Sequence, residues 1–590
     1  MIYFRWIFLA ICFAVVAAVA QTTDAVKNEL FSIFDDEWQF RLQENPDLAV
    51  SMGKAEYAGK LPAVSAADEL RRAEFDRGLL QRLAAVDREK LSETDRVNYD
   101  VFKFILENRV AEVEHESYLT PISSEGGFYT SFLFMIGDLP FENAKDYQNY
   151  LSMLAAFTDY TNQHIELMRE GLRKGKTLPK MLMSPDFFTA IDAQIVAKPG
   201  ESPLFDPFEK MPETIAADQR KQLVELGKAA IAKHIIPSFK KIKQFLETEY
   251  IPGAKAEPGV SAEPGGKDFY AYRVRFFTTT NMTPDEVFEI GQKEVARIRA
   301  EMEKIIADLK FEGSFAEFLN FLRTDPQFYA KTPRELMMEA SYFAKKADGK
   351  LPEFFGVLPR NSYGVEPVPA DIAPKYTGGR YVGGSLENGR AGLYWVNTFK
   401  LESRPLYVLP ALTLHESVPG HHLQISLAQE MENVPNFRKS NYLSAYGEGW
   451  ALYTEYLGEE MGIYETPYQL FGKLTYEMWR ACRLVVDVGI HAKGWSRDAA
   501  VEFMASNTAL SLHEVNTEID RYIGWPAQAL SYKIGELKIR ELRKTAEAAL
   551  GEQFDLRKFH DVILSQGAVP LFVLEDMVKR YIALEKMTGE

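Results

Sequence analysis

The chain has 590 residues, 46% of them hydrophobic, a formal net charge of −16 and two cysteines. A chain of that length buries an ample core and is expected to divide into lobes. So acidic a chain lacks the basic surface that would release counterions from a nucleic acid, which excludes backbone-driven nucleic-acid binding.

The first 20 residues read as a secretory signal. Arg5 supplies a positive start, Trp6 to Val19 is an apolar run, and Ala18-Val19-Ala20 forms a small-x-small cleavage site before Gln21. The run of about 14 residues is shorter than the ~20 needed to cross a bilayer, so no stable membrane span is expected in the mature chain. A retained amino-terminal anchor is the alternative. Cys12 follows Ile11 rather than a small residue, which argues against a lipid anchor. The mature chain keeps only Cys482 and cannot form an internal disulfide. A periplasmic or secreted location follows, in a compartment where disulfides are allowed but not required.

Residues 21–266 form a helical N-terminal region. Apolar residues recur at three-to-four spacing over Arg71 to Val86, Tyr99 to Val113, Tyr147 to Arg173 and Val224 to Tyr250. Pro237 is expected to bend or divide the last of these. Gly126 to Met135 reads as an aromatic-rich loop that either lines a cleft or packs into the core. Ile251 to Gly266, rich in Pro, Gly, Ala and Ser, reads as a loop or linker.

In residues 267–590, Phe269 to Phe277 reads as a strand or extended segment. A long helix then starts at Thr283-Pro284-Asp285-Glu286 and runs to about Leu309, with Thr283 as cap and Glu286 as the capping-box acid. Gly379 to Asn397 is the best β candidate, with Gly392 to Asn397 entering an otherwise helical half. The fold class expected is mainly α: a large two-lobed helical protein with a small β element beside the candidate active-site helix.

That helix carries Leu414-His415-Glu416-Ser417-Val418-Pro419-Gly420-His421-His422-Leu423-Gln424, with three of the chain's nine histidines in eight positions. In the short zinc-hydrolase motif the second histidine stands at i+4, but here that position is Pro419. A straight helix aligns only His422 with His415, whereas His421 requires a distortion around Pro419-Gly420. Spacing leaves the two open. A third ligand must come from another segment, and Tyr446-Gly447-Glu448-Gly449-Trp450 to Glu455 supplies two acids seven apart on one helical face. One acid would bind metal and the other would orient an imidazole from behind. The bland reading, surface acids beside a core histidine, suits any one of these residues alone and fits the set less well.

These segments resemble the DUF885 family of bacterial proteins, whose signature is HExxPGHxxQ followed by a glycine-flanked acid. The resemblance continues through Arg483 to His491, Glu518 to Gly535, Phe559-His560-Asp561 and Gly567. That family is similar to the gluzincin, thermolysin-like metallopeptidases. The resemblance implies zinc bound by His415, His421 and Glu448, and Glu416 as general base. An oxyanion partner would come from Tyr532, His491, Tyr522 or Arg521, with Tyr532 and His491 ranked first. Tyr522, Arg521 and Glu518 share a helical face and equally suit a structural network, and Arg483 with Asp487, one turn apart, suits an ion pair and a substrate role equally. Tyr453 reads as core. By analogy with the gluzincins, Gly392 to Asn397 would be an edge strand to which an extended peptide adds, with Asn397 near the scissile bond; an edge strand without a binding role is an equal alternative. The activity implied is a zinc metallopeptidase acting on short peptides. The alternatives are a zinc-dependent amidase or esterase and a non-catalytic peptide-binding envelope protein. Exo- or endopeptidase action, peptide specificity and oligomeric state are not readable from the chain.

Overall fold

The computed structural model describes residues 24–588 except 138, 371, 374, 375, 387 and 388. The signal segment, residues 1–20, lies outside the described residues. The chain is mainly helical and separates into two compact units. The first runs to Pro258 and takes in Ala262–Gly266, and the second comprises Gly259–Ser261 and everything from Lys267. No helix among the described residues is long and apolar enough to cross a membrane.

In the first unit, α1 (Ala66–Ala85), α2 (Glu93–Glu114) and α3 (Ala144–Lys174) begin earlier than the apolar periodicity indicates. Their first turns are polar and are started by caps: Ser65 with Asp68, Ser92 over Asp95, and Asn143 with Asp146. Tyr147, Tyr150, Phe157, His164 and Met168 of α3 fall on its buried face. Phe157 stacks on Phe132 (4.1 Å between ring centres) and on Phe239 (5.2 Å). The aromatic segment expected as a loop is a short hairpin, Ile122–Ser123 with Gly126–Gly127, followed by a helix over Phe128–Gly137. Phe128, Tyr129 and Phe132 point into the core from it.

Helical structure runs on across Pro237 rather than ending there. A π-helical turn over Ile231–Ile235 precedes it, and helical structure continues through to Gly253. A π turn shifts the hydrogen-bond register, so the ring meets a carbonyl already released from its i−4 donor.

In the second unit the expected strand at Phe269–Phe277 is instead part of a helix, Gly266–Thr278. Tyr270, Val274 and Phe277 are buried, and their spacing of four and three is helical. Aromatic and β-branched composition imitates a strand there, but tertiary burial decides. The helix α4 (Pro284–Asp308) starts at the expected capping box of Thr283 and Glu286.

The β element is a three-stranded sheet of β1 (Tyr363–Pro367), β2 (Gly379–Val382) and β3 (Gly392–Val396), in the order β1-β3-β2. β3 pairs parallel to β1 and antiparallel to β2, so Gly392 to Val396 is the central strand and cannot add a peptide. The edge role falls to β1 and β2. Asn397 is fully buried and braces the preceding loop, donating to the carbonyls of Ala373, Tyr376 and Thr377. It is a loop brace rather than a substrate contact.

Six helices complete the part of this unit that concerns function: α5 (Leu409–Glu416), α6 (His421–Gln429), α7 (Ser444–Glu460), α8 (Pro467–Lys493), α9 (Leu512–Gly524) and α10 (Ser531–Leu550). α8 lies along α4, and α7 lies along α10.

Candidate functional site

The His-Glu segment is two helices rather than one distorted helix. α5 ends at Glu416, residues 417–420 cross over, and α6 begins at His421. Pro419 has no N–H to continue the ladder, and a side chain at Gly420 would strike the carbonyls of Leu414 and His415. The crossover is fixed from α7, where the Trp450 indole N–H donates to the Pro419 carbonyl (2.8 Å) and the Thr454 hydroxyl donates to the Leu414 carbonyl (3.1 Å).

This break brings His421, and not His422, beside Glu448. His421, at the first position of α6, brings its Nε2 to 3.4 Å from Oε2 of Glu448, and His415 brings its Nε2 to 3.5 Å from the same oxygen. One ligand atom from each of His415, His421 and Glu448 lies within 4.8 Å of the others, an arrangement able to hold a metal ion. His422 turns away. Its Nδ1 meets the Tyr381 hydroxyl (3.1 Å), its Nε2 meets the Asn361 carbonyl (3.2 Å), and burial lowers its pKa to about 4, which keeps it neutral.

Glu448 and Glu455, two turns apart on α7, divide the work by position. Glu455 is buried and its Oε1 lies 2.8 Å from Nδ1 of His415, on the side of the ring away from the cluster. Such a carboxylate fixes ring orientation and raises basicity. Burial opposes charge on His415, but hydrogen bonds to Glu448 and Glu455 with the nearby Glu416 charge prevail and raise its pKa to about 9. Burial would likewise raise the pKa of Glu448. His421 and His415 reverse this and hold it well below the usual carboxylate range. The other Glu448 oxygen accepts from the Tyr442 hydroxyl (2.8 Å), a partner the sequence reading did not include.

Glu416 is not part of the triad. Its Oε2 accepts the Tyr381 backbone N–H (2.8 Å) from the outer edge of β2. Tyr532 faces the cluster from α10, its ring 6.3 Å from that of His415 and nearly parallel to it. Two features hold it there. α7 and α10 approach so closely at Gly449 and Gly535 that a side chain on either would strike the other helix's backbone. The next residue, Lys533, is fully buried and bonded to Glu477 (2.8 Å), Glu536 (2.8 Å) and Glu294 (3.1 Å).

The remaining candidates stand elsewhere. His491 is fully buried with Nδ1 accepting from the Val260 N–H (3.2 Å) and Nε2 facing the Tyr522 carbonyl (3.0 Å), so both nitrogens serve the backbone and neither serves an oxyanion. Tyr522 donates to Glu518 (2.6 Å) and accepts from Trp479 (3.0 Å) and Arg483 (2.8 Å). Arg521 bonds Glu518 (3.1 Å) and Gln528. Both belong to a structural network around Glu518. Asp487 pairs with Tyr270 (2.6 Å) and the Ala527 N–H (3.1 Å) rather than with Arg483. Tyr453 is core, bonded to His560 (2.8 Å).

Comparison with known proteins matches residues 46–578 to the model of a family described as "Bacterial protein of unknown function (DUF885)". The chain belongs to the DUF885 family. Among solved structures, a "putative lipoprotein" from Colwellia psychrerythraea is 27% identical with a TM-score of 0.86, covering 95% of this chain and 99% of its own. A second, a "putative lipoprotein of unknown function" from Shewanella oneidensis, is 18% identical with a TM-score of 0.67, covering 94% of this chain and 99% of its own, and shares the fold. No curated protein matches. DUF885 membership rests on sequence spanning both units.

Proposed function

We propose that this DUF885 protein is a metal-dependent hydrolase of the gluzincin kind, acting outside the cytoplasm on peptide bonds of short peptides. The observation that carries this reading is the meeting of two imidazoles and one carboxylate, with a second carboxylate behind His415 and an unligated glutamate next to it in sequence. The donor set suits zinc. Ligand atoms about 2.0–2.1 Å from a tetrahedral ion stand about 3.3–3.4 Å apart, and both imidazole nitrogens are 3.4–3.5 Å from the Glu448 oxygen. Three protein donors leave a fourth position open, as catalytic zinc sites do.

Bound there, zinc would supply Lewis acidity and a more acidic water. The chain's own groups then have distinct tasks. Glu416, oriented by the Tyr381 N–H through Oε2, uses Oε1 to take the proton of the attacking water and passes it to the leaving amine. The Tyr532 hydroxyl donates to the oxyanion as it forms. Tyr442 and Glu455 position Glu448 and His415. Glu416→Gln preserves size and removes the base, so it should retain stoichiometric metal while peptide turnover falls at least ~100-fold. Metal analysis beside hydrolysis of a peptide mixture, read by mass spectrometry, checks both, and full turnover by the variant would remove Glu416 from this role.

A further inference from the structure

Next to Tyr532 and to Glu455, the second unit contains a second cluster of charge that the reaction scheme does not use. Arg480 and Arg483, one turn apart on α8, are both buried and stack on the same Trp479 ring at 4.2 and 4.3 Å. Arg483 is also 4.2 Å from the Tyr532 ring centre. Its Nε and Nη2 are bonded to Tyr522 and Glu518, but Nη1 is buried with no hydrogen-bond partner. Arg480 is held more weakly, with Nη1 3.4 Å from the Tyr476 carbonyl, Nη2 3.5 Å from Glu455, and Nε buried without a partner. The Nε of Arg404 and the hydroxyl of Tyr407 are also buried and unpaired.

Glu514 stands on the first turn of α9. Burial, helped by the Glu518 charge, raises its pKa to about 7 against the opposing pull of Arg404, Arg480 and Arg483. Buried N–H groups without partners are costly and are seldom left in a fold that gains nothing from them.

We propose that Arg480 and Arg483 form a subsite for a carboxylate of the substrate, of which the C-terminal carboxylate of a short peptide is the source that best fits the spacing. This rests on the hydrolase reading above and extends it to substrate class. The Arg483 guanidinium lies no farther from the His415 ring than the 4.2 Å to Tyr532 plus the 6.3 Å from Tyr532 to His415. An extended peptide advances about 3.3–3.6 Å per residue, so a carboxylate anchored here places a peptide bond within its last two or three residues at the cluster. Planar carboxylate suits guanidinium N–H groups. A dianion would meet Glu455, Glu514 and Glu518 at close range, which favours a single negative charge.

The test uses the full chain carrying Glu416→Gln and three randomised tripeptide mixtures: free acids without Asp or Glu, the same sequences as C-terminal amides, and amides containing Asp or Glu. Affinity is read by competition. The free acids should bind at least tenfold tighter than the plain amides, and Arg480→Gln or Arg483→Gln in the same background should reduce that ratio to about one. If acidic amides match the free acids, the subsite stands with a side-chain carboxylate as its source. Equal binding of acids and plain amides, binding of none, or a ratio that survives both arginine substitutions overturns the proposal. Because the acid-to-amide ratio is measured first without either arginine change, a misfolded variant does not rescue it. Absence of turnover in the wild type alongside a strong preference for acids would sink the hydrolase reading and leave the subsite.

Discussion

Two buried histidines, one in each unit, show what surroundings do to the same side chain. His164 sits midway along α3, stacked on Phe128 at 4.2 Å and edge-on to Tyr160, with neither ring nitrogen hydrogen-bonded. Burial alone acts on it and lowers its pKa to about 3. His415 is just as deeply placed, yet carboxylates at both nitrogens raise it to about 9. Burial therefore selects a neutral, inert ring, and a carboxylate pair converts the same buried ring into one that holds a proton. The first environment is a core that tolerates a histidine, whereas the second is organised around one.

The sharpest way to break this contrast is to remove each ring. His415→Ala should abolish stoichiometric zinc binding, and His164→Ala should leave it intact even if the fold is weakened. Elemental analysis of the two purified variants checks this. Retention of metal by His415→Ala would place the ion elsewhere.

The contrast sharpens with pH. His164 has a folded pKa near 3 and an unfolded one near 6.5, so the unfolded chain binds more protons between those values and stability falls as pH drops through that window. The loss amounts to at most about 5 kcal/mol. His164→Phe should remove that part of the acid sensitivity, measured as denaturant midpoint against pH from 6.5 down to 4. Asp487 behaves oppositely. Burial raises it to about 7, against the hydrogen bonds from Tyr270 and Ala527, so the folded chain binds more protons between about 4 and 7 and stability falls as pH rises. Asp487→Asn should flatten that slope by up to about 4 kcal/mol, and an unchanged slope would show that Asp487 is ionised in the fold.

These environments were unequally legible in the sequence. The local signals were good: Thr283 with Glu286 marks the start of α4, and Glu448 with Glu455 reads as one helical face because a period of seven is two turns. Spacing could not choose between His421 and His422. The choice depends on where α6 restarts, and that is set by Trp450 and Thr454 from a different helix. His491 was a candidate oxyanion partner through the family resemblance alone, and its backbone partners, Val260 and Tyr522, distant in sequence, give it a structural role. Tyr442 and the Tyr381 N–H left no trace in the chain's pattern. The first is one tyrosine among 28 and the second is a main-chain group that any residue could supply. Glycine was the better guide: the residue flanking Glu448 at 449 marks the close approach that brings Tyr532 to His415.

The finest test of the comparison leaves the His415 ring in place and alters only what stands behind it. Glu455→Gln keeps a hydrogen-bond acceptor toward Nδ1 but removes its charge, so His415 should remain oriented while losing basicity. Outer carboxylates of this kind change metal affinity by about 10–100-fold, about 1.4–2.8 kcal/mol. Competition with a chromogenic chelator measures this directly. A loss in that range would place the distinction between the two histidines in the charge behind the ring. No loss would assign it to Glu448 and His421 alone, which meet the ring on its other side.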